Sequence, residues 1–191
     1  PWATARRLWP ARIARIAAPF CAQEAARQAD AGLLARECKG DYPIPGTGVT
    51  LTAKADRIDV GHDGRLRIYD YKTGSLPSGK QEKAIAKQLL LEALMAERGA
   101  FQDVPAAPVA LARYLRVAAS LDAMDAPLDE KPPATMEAEM QRLLAAYADP
   151  DTGYRAQVVP ESARFTGDYV LLARAGEWDL SVTPTPERVG W

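Results

Sequence analysis

Apolar residues recur at helical spacing near the start of the chain. Ile13, Ile16, Ala17, Phe20 and Cys21 share one side, followed by Ala25, Leu33 and Leu34. Over residues 5–38 this pattern predicts two helices with a break near Pro19. Arg6, Arg7, Arg12 and Arg15 occupy the polar side of the first. Lys39-Gly40-Asp41 and Pro43-Ile44-Pro45-Gly46 predict a loop and a turn. The period then drops to two. Val49, Leu51, Ala53 and Ala55 alternate with Thr50, Thr52, Lys54, Asp56 and Ile58, which predicts a strand over 48–60. His62-Asp63-Gly64 is a hairpin turn. Beyond it, Leu66, Ile68, Asp70 and Lys72 lie on one face of a second strand, with Arg65, Arg67, Tyr69 and Tyr71 on the other. Residues 81–98 return to the helical period through Ile85, Leu89, Leu91, Leu94 and Met95, closed by Gly99. A third strand is predicted over 109–118 and an exposed loop over 120–134. A last amphipathic helix carries Met136, Met140, Leu143, Leu144 and Tyr147. The tail from 149 on is irregular apart from Tyr169-Val170-Leu171-Leu172-Ala173.

These elements point to an α/β domain, a mixed sheet flanked by helices. At 191 residues a single domain is expected. It divides into N-terminal helices and loop (1–47), a core of hairpin, helix and strand (48–118), and a C-terminal helix and tail (119–191). There is no internal repeat. No apolar run approaches the roughly 18 residues of a membrane span, and no signal peptide is visible, so a cytoplasmic protein is expected. The chain starts at Pro1 rather than Met, and we expect it to be part of a longer polypeptide. Cys21 and Cys38 form neither a disulfide framework nor a zinc motif and are expected as reduced thiols. The net charge of −1 and pI of about 6.0 argue against a broad non-specific nucleic-acid surface. Any action on nucleic acid must come from a local site.

That site is expected on the hairpin. Asp70 and Lys72 are two apart in a strand, so they leave the same face. Asp56 in the partner strand falls about opposite Asp70, where facing Cβ atoms stand roughly 5 Å apart. Like charges in that position repel unless something intervenes, and a divalent cation does so most simply. Mg²⁺ is commonly held by two carboxylates, waters and a substrate phosphate. Beside such an ion, a lysine can orient water or neutralise charge growing on phosphorus. The chemistry is phosphodiester hydrolysis. The alternative for Asp70 and Lys72 is a surface ion pair worth well under ~1 kcal/mol. Leu66 and Ile68 on the same face argue that it points inward. Lys80, Lys83 and Lys87, spaced i, i+3 and i+7 beside Gln88, are candidate DNA-backbone contacts.

The words Asp56-Arg57-Ile58-Asp59, Gly64 through Asp70-Tyr71-Lys72-Thr73-Gly74, and Gln88-Leu89-Leu90-Leu91-Glu92 resemble the RecB-type nuclease signature of the PD-(D/E)XK superfamily. With Gly99-Ala100-Phe101 and Glu177-Trp178, the chain is similar over roughly residues 5–180 to the C-terminal nuclease domain of AddB subunits of double-strand-break repair enzymes. The resemblance implies a restriction-endonuclease-like core and Mg²⁺- or Mn²⁺-dependent cleavage of DNA, exonucleolytic in kind. It also implies an AddA-like helicase–nuclease subunit as partner. It assigns Asp56 and Asp70 as metal ligands, Lys72 as the catalytic lysine, and Gln88 as the residue positioning lysine or substrate. Glu37 and the Tyr71 carbonyl would support the metal. Asp59 has the opposite parity and should point away.

Two departures stand out. Family members often carry Tyr four residues after the Gln, where this chain has Glu92. Many carry a His in an early helix, whereas the one histidine here, His62, sits at the hairpin tip. Some AddB proteins hold an iron–sulfur cluster through four cysteines; with two cysteines, no such cluster is expected in this chain. The competing interpretations are a catalytically inactive nuclease-like module that only binds DNA or a partner, and a stand-alone nuclease of a mobile element.

Overall fold

A computed structural model describes residues 3–77, 87–118, 120–153, 177 and 181–182, with side chains from Pro10 on. Lys80, Lys83, the Tyr169–Ala173 run and Trp178 lie outside the described residues. The chain divides at Glu139/Met140 into two units.

The first unit begins with α1 (Ala3–Asp30), continuous through Pro10 and Pro19, so the predicted break near Pro19 is absent. The second predicted helix is absent too. From Ala31 the chain is β1 (Ala31–Pro43), an edge strand that absorbs Leu33, Leu34 and the expected Lys39–Asp41 loop. β2 (Thr50–Gly61), β3 (Leu66–Lys72), β4 (Val109–Arg116) and β5 (Ala123–Asp125) complete a five-stranded sheet in order β1-β2-β3-β4-β5. β5 lies where an exposed loop was expected.

Neighbouring strands are antiparallel except β3 and β4, which are parallel. A parallel pair cannot be closed by a tight turn and needs a crossover. The crossover carries α2 (Gln88–Glu97). Its C-terminus is a Schellman motif: Ala100 N–H donates to Met95 O at 2.9 Å and Gly99 N–H to Ala96 O at 3.1 Å. Gly99 takes the left-handed φ of +66° that this requires.

α2 is buried nearly all round. Leu89, Leu90, Ala93 and Met95 join Ala55, Ile58, Ile68, Ala112 and Tyr114 in one core cluster. A fully buried Leu or Ile contributes roughly 1.5–3 kcal/mol, so α2 is held firmly against the sheet and its first residue, Gln88, is fixed with it.

On the other side of the sheet, Arg57 of β2 binds Glu24 of α1 through Nη1 at 2.8 Å. Arg57 also grips Asp59 by two hydrogen bonds of 2.7 Å. α3 (Pro133–Ala148) starts in this unit, with Met136 in the core. The second unit comprises the rest of α3 from Met140 and a turn closed by Thr152 N–H to Asp149 O at 3.0 Å.

Candidate active site

The β2/β3 ladder runs from Val60↔Leu66 to Arg57↔Tyr69. Asp56 and Asp70 are the next residues beyond the last paired position. There the strands fork. The Tyr71 N–H donates to Asp56 Oδ2 at 2.9 Å. β2 continues toward its N-terminus against β1, while β3 continues against β4 as far as Lys72↔Arg116. The two carboxylates stand at the base of this fork.

Gln88 joins the parts. Its Nε2 donates to Asp70 Oδ1 at 2.6 Å and to Glu92 Oε1 at 3.0 Å, and its Oε1 accepts from Lys72 Nζ at 3.3 Å. The amide orientation follows from chemistry, since ionised carboxylates only accept and an ammonium only donates. Lys72 Nζ is also 2.8 Å from Asp70 Oδ2 and 5.6 Å from the centre of the Tyr114 ring. The lysine head is therefore held from three sides at the end of β3.

Asp70 is buried, and its Oδ2 receives no hydrogen bond: Lys72 Nζ is close but not aligned to donate. A buried oxygen that lacks a donor beside a facing carboxylate suits a hard cation. No group of three or more His, Cys, Asp or Glu residues is placed to hold a metal among the described residues. The protein thus offers Asp56 and Asp70, with water and phosphate to complete the shell, an arrangement common for Mg²⁺.

The profile of the PD-(D/E)XK nuclease superfamily matches residues 2–161. The chain belongs to this superfamily. A protein of Rickettsia bellii described as uncharacterized is 28% identical over 93 residues, 47% of this chain and 11% of the relative. An uncharacterized protein of Rickettsia typhi is 29% identical over the same shares. The chain therefore spans a small part of the curated relatives it matches. The mixed sheet with its flanking helices is consistent with the PD-(D/E)XK nuclease fold.

Of the residues expected in the PD-(D/E)XK site, the structure brings together Asp56, Asp70, Lys72 and Gln88. Tyr71 enters through its N–H, and its hydroxyl accepts from Arg57 Nη1 at 3.3 Å. Glu37 is not ahead of the first strand but within β1, between the Arg36↔Arg57 and Cys38↔Ala55 pairs and so beside Asp56. Its backbone is left-handed, φ +50°, which is uncommon for a non-glycine residue. Its exposed carboxylate pairs with Lys54 rather than with Asp70 or Lys72. Lys87 precedes α2, with its carbonyl accepting from Leu91 N–H at 2.9 Å. Asp59 points away, as expected, into the Arg57 clamp.

Glu92 stands out in the sequence only as a departure from the family pattern, yet the structure buries it within the site at 3% exposure. Burial pushes its carboxyl up to about 7, opposed by the Gln88 hydrogen bond and reinforced by the charges of Asp70 and Asp56. The available signal was two polar residues at i and i+4 in an otherwise apolar helix, which places both on one face.

Proposed function

We propose that this chain is the nuclease domain of an AddB-type subunit, hydrolysing DNA phosphodiesters exonucleolytically with Mg²⁺ or Mn²⁺. We further propose that it works beside an AddA-like helicase–nuclease subunit. The observation that carries the reading is the Gln88 amide, which bridges Asp70 and Lys72 where Asp56 faces Asp70. An isolated ion pair would not require a helix-borne amide to fix both partners. The family membership and the order of the Asp56–Asp59, Asp70–Gly74 and Gln88 words support the nuclease part. The small share of much longer relatives supports a domain within a larger polypeptide.

A divalent ion held by Asp56 and Asp70, with the Tyr71 carbonyl and Glu37 as candidate additional ligands, would polarise the phosphate and acidify water. The chain's own residues orient the reaction. Asp70 and Gln88 hold the Lys72 ammonium where negative charge accumulates on the phosphoryl oxygens, a preorganised electrostatic contribution. Lys80, Lys83 and Lys87 would track the strand leading in.

The test is Lys72→Ala on single-stranded DNA with Mg²⁺ and with Mn²⁺. Cleavage should fall by roughly a hundredfold or more, while DNA affinity falls only slightly. Equal cleavage by both proteins would remove Lys72 from the site. Absence of cleavage by either, with unchanged DNA binding, would establish the inactive binding module instead.

A further inference from the structure

A second cleft opens beside the catalytic strand and is separate from the carboxylate fork. Its volume is about 440 Å³, and it is lined by Arg12, Arg15 and Ile16 of α1, Thr73 just past Lys72, and Arg116 and Val117 at the end of β4. The cleft is tied to the site through the backbone, because the Val117 N–H donates to the Lys72 carbonyl at 2.8 Å. Among the described residues its lining contains three arginines and no carboxylate. Arg116 is paired with Asp122, which lies outside the lining.

Guanidinium groups present planar forks that match phosphate oxygens, and the apolar walls at Ile16 and Val117 suit the faces of a sugar or base. Arg116 adds a specific opening. Its Nη1 is taken by Ser120 Oγ at 3.1 Å and Asp122 Oδ2 at 3.0 Å, while its Nε is buried with no acceptor. A buried donor left without an acceptor marks a place for an incoming one.

We propose that this cleft binds the phosphodiester backbone of a single nucleic-acid strand next to the scissile linkage, with Arg15 and Arg116 on its phosphates. The proposal rests on the nuclease reading, because the cleft residues Thr73 and Val117 adjoin Lys72 through the backbone. It places the holding of the strand on α1 and β4, apart from the residues that cut it.

The experiment uses the full chain without divalent ions and a fluorescent oligothymidylate of about 15 nucleotides, titrated at several salt concentrations. The variants are Arg15→Glu, Arg15→Lys and Arg116→Gln. Arg15 is exposed on α1, so its replacements leave the core untouched, and thermal unfolding is measured to check that Arg116→Gln stays folded. Arg15→Glu should weaken binding about tenfold or more and lower the salt slope by about 0.7 for each phosphate no longer neutralised. Arg15→Lys should restore the slope. Cleavage at subsaturating DNA with Mn²⁺ should fall in step with the loss of affinity.

Wild-type affinity and slope in Arg15→Glu and Arg116→Gln, with cleavage intact, would overturn the cleft and leave the nuclease reading standing. Cleavage abolished in Lys72→Ala, with DNA affinity reduced strongly in the arginine variants and only slightly in Lys72→Ala, would support both. A wild type that neither binds nor cleaves DNA would overturn both. Arginine-dependent binding of polyglutamate in place of the oligonucleotide would overturn the proposal in favour of an acidic protein partner.

Discussion

Glu92 carries a testable pH dependence. Its carboxyl titrates near 7 in the folded protein, above the ordinary 4.5, chiefly because burial disfavours the charge. The folded state therefore binds this proton more tightly than the unfolded chain. The contribution is fully present below about 4.5 and is lost as pH rises through about 7, by about 3 kcal/mol at most. Glu92→Gln keeps an oxygen for Gln88 Nε2 and cannot ionise. In urea unfolding of metal-free protein, the variant should gain on wild type between pH 5 and 8; parallel profiles would show that Glu92 does not hold its proton. Arg57 makes the opposite case, a charge needed in place. Despite burial, its bonds to Asp59, Tyr71 and Glu24 keep its guanidinium well above the usual arginine range. Arg57→Ala would strand Asp59, which is fully buried. A loss of about 3–5 kcal/mol is expected, read as a fall in the urea midpoint; a change near zero would mean that water reaches Asp59.

Elements with one clear period were legible in the sequence, and those fixed by tertiary partners were not. β2, the turn after Gly61, β3, β4 and α2 follow from alternation or helical spacing, and the Asp56–Asp70 opposition follows from the turn length. β1 escapes the pattern because it lies at the sheet edge. Its burial is patchy and its ladder slips between Leu33 and Ala35, so it shows no clean alternation. Leu33 and Leu34 also happen to continue the helical spacing of α1. β5 is only Ala123–Asp125, too short to carry a period. Within the site, the hairpin residues were legible because strand parity fixes them, whereas the role of Glu92 depends on how a crossover helix docks. Gly40 shows what holds β1 in place: a Cβ there would sit 2.6 Å from Phe101 Cδ1 and 2.9 Å from Ala100 O. The strand and the loop after α2 touch at this point, with Asp41 N–H donating to Ala100 O at 3.1 Å. Gly40→Ala should cost about 1–3 kcal/mol in denaturant unfolding, while Gly32→Ala, where no atom lies within 4 Å, should be close to neutral.

At the scale of the whole molecule, the proposed metal site predicts that stability depends on divalent ions. At one hundred times its Kd, a bound ion adds about 2.7 kcal/mol to the folded state. Asp56→Asn keeps an acceptor for the Tyr71 N–H and removes one of the facing charges. Wild type should gain thermal stability on addition of Mn²⁺, and Asp56→Asn should gain little; equal gains would place the ion elsewhere. The mixed sheet has a consequence for how the protein is made. A ribosome releases β2 and β3 before β4, and a hairpin of this kind closes within microseconds. The parallel β3–β4 pair waits for the whole crossover to be synthesised, and Gln88 arrives on that crossover. A nascent chain thus displays both carboxylates, with Lys72 beside Asp70, before Gln88 and Tyr114 arrive to hold the lysine from the other sides. On the proposed function, the lysine would be fully positioned only once the polypeptide has passed β4.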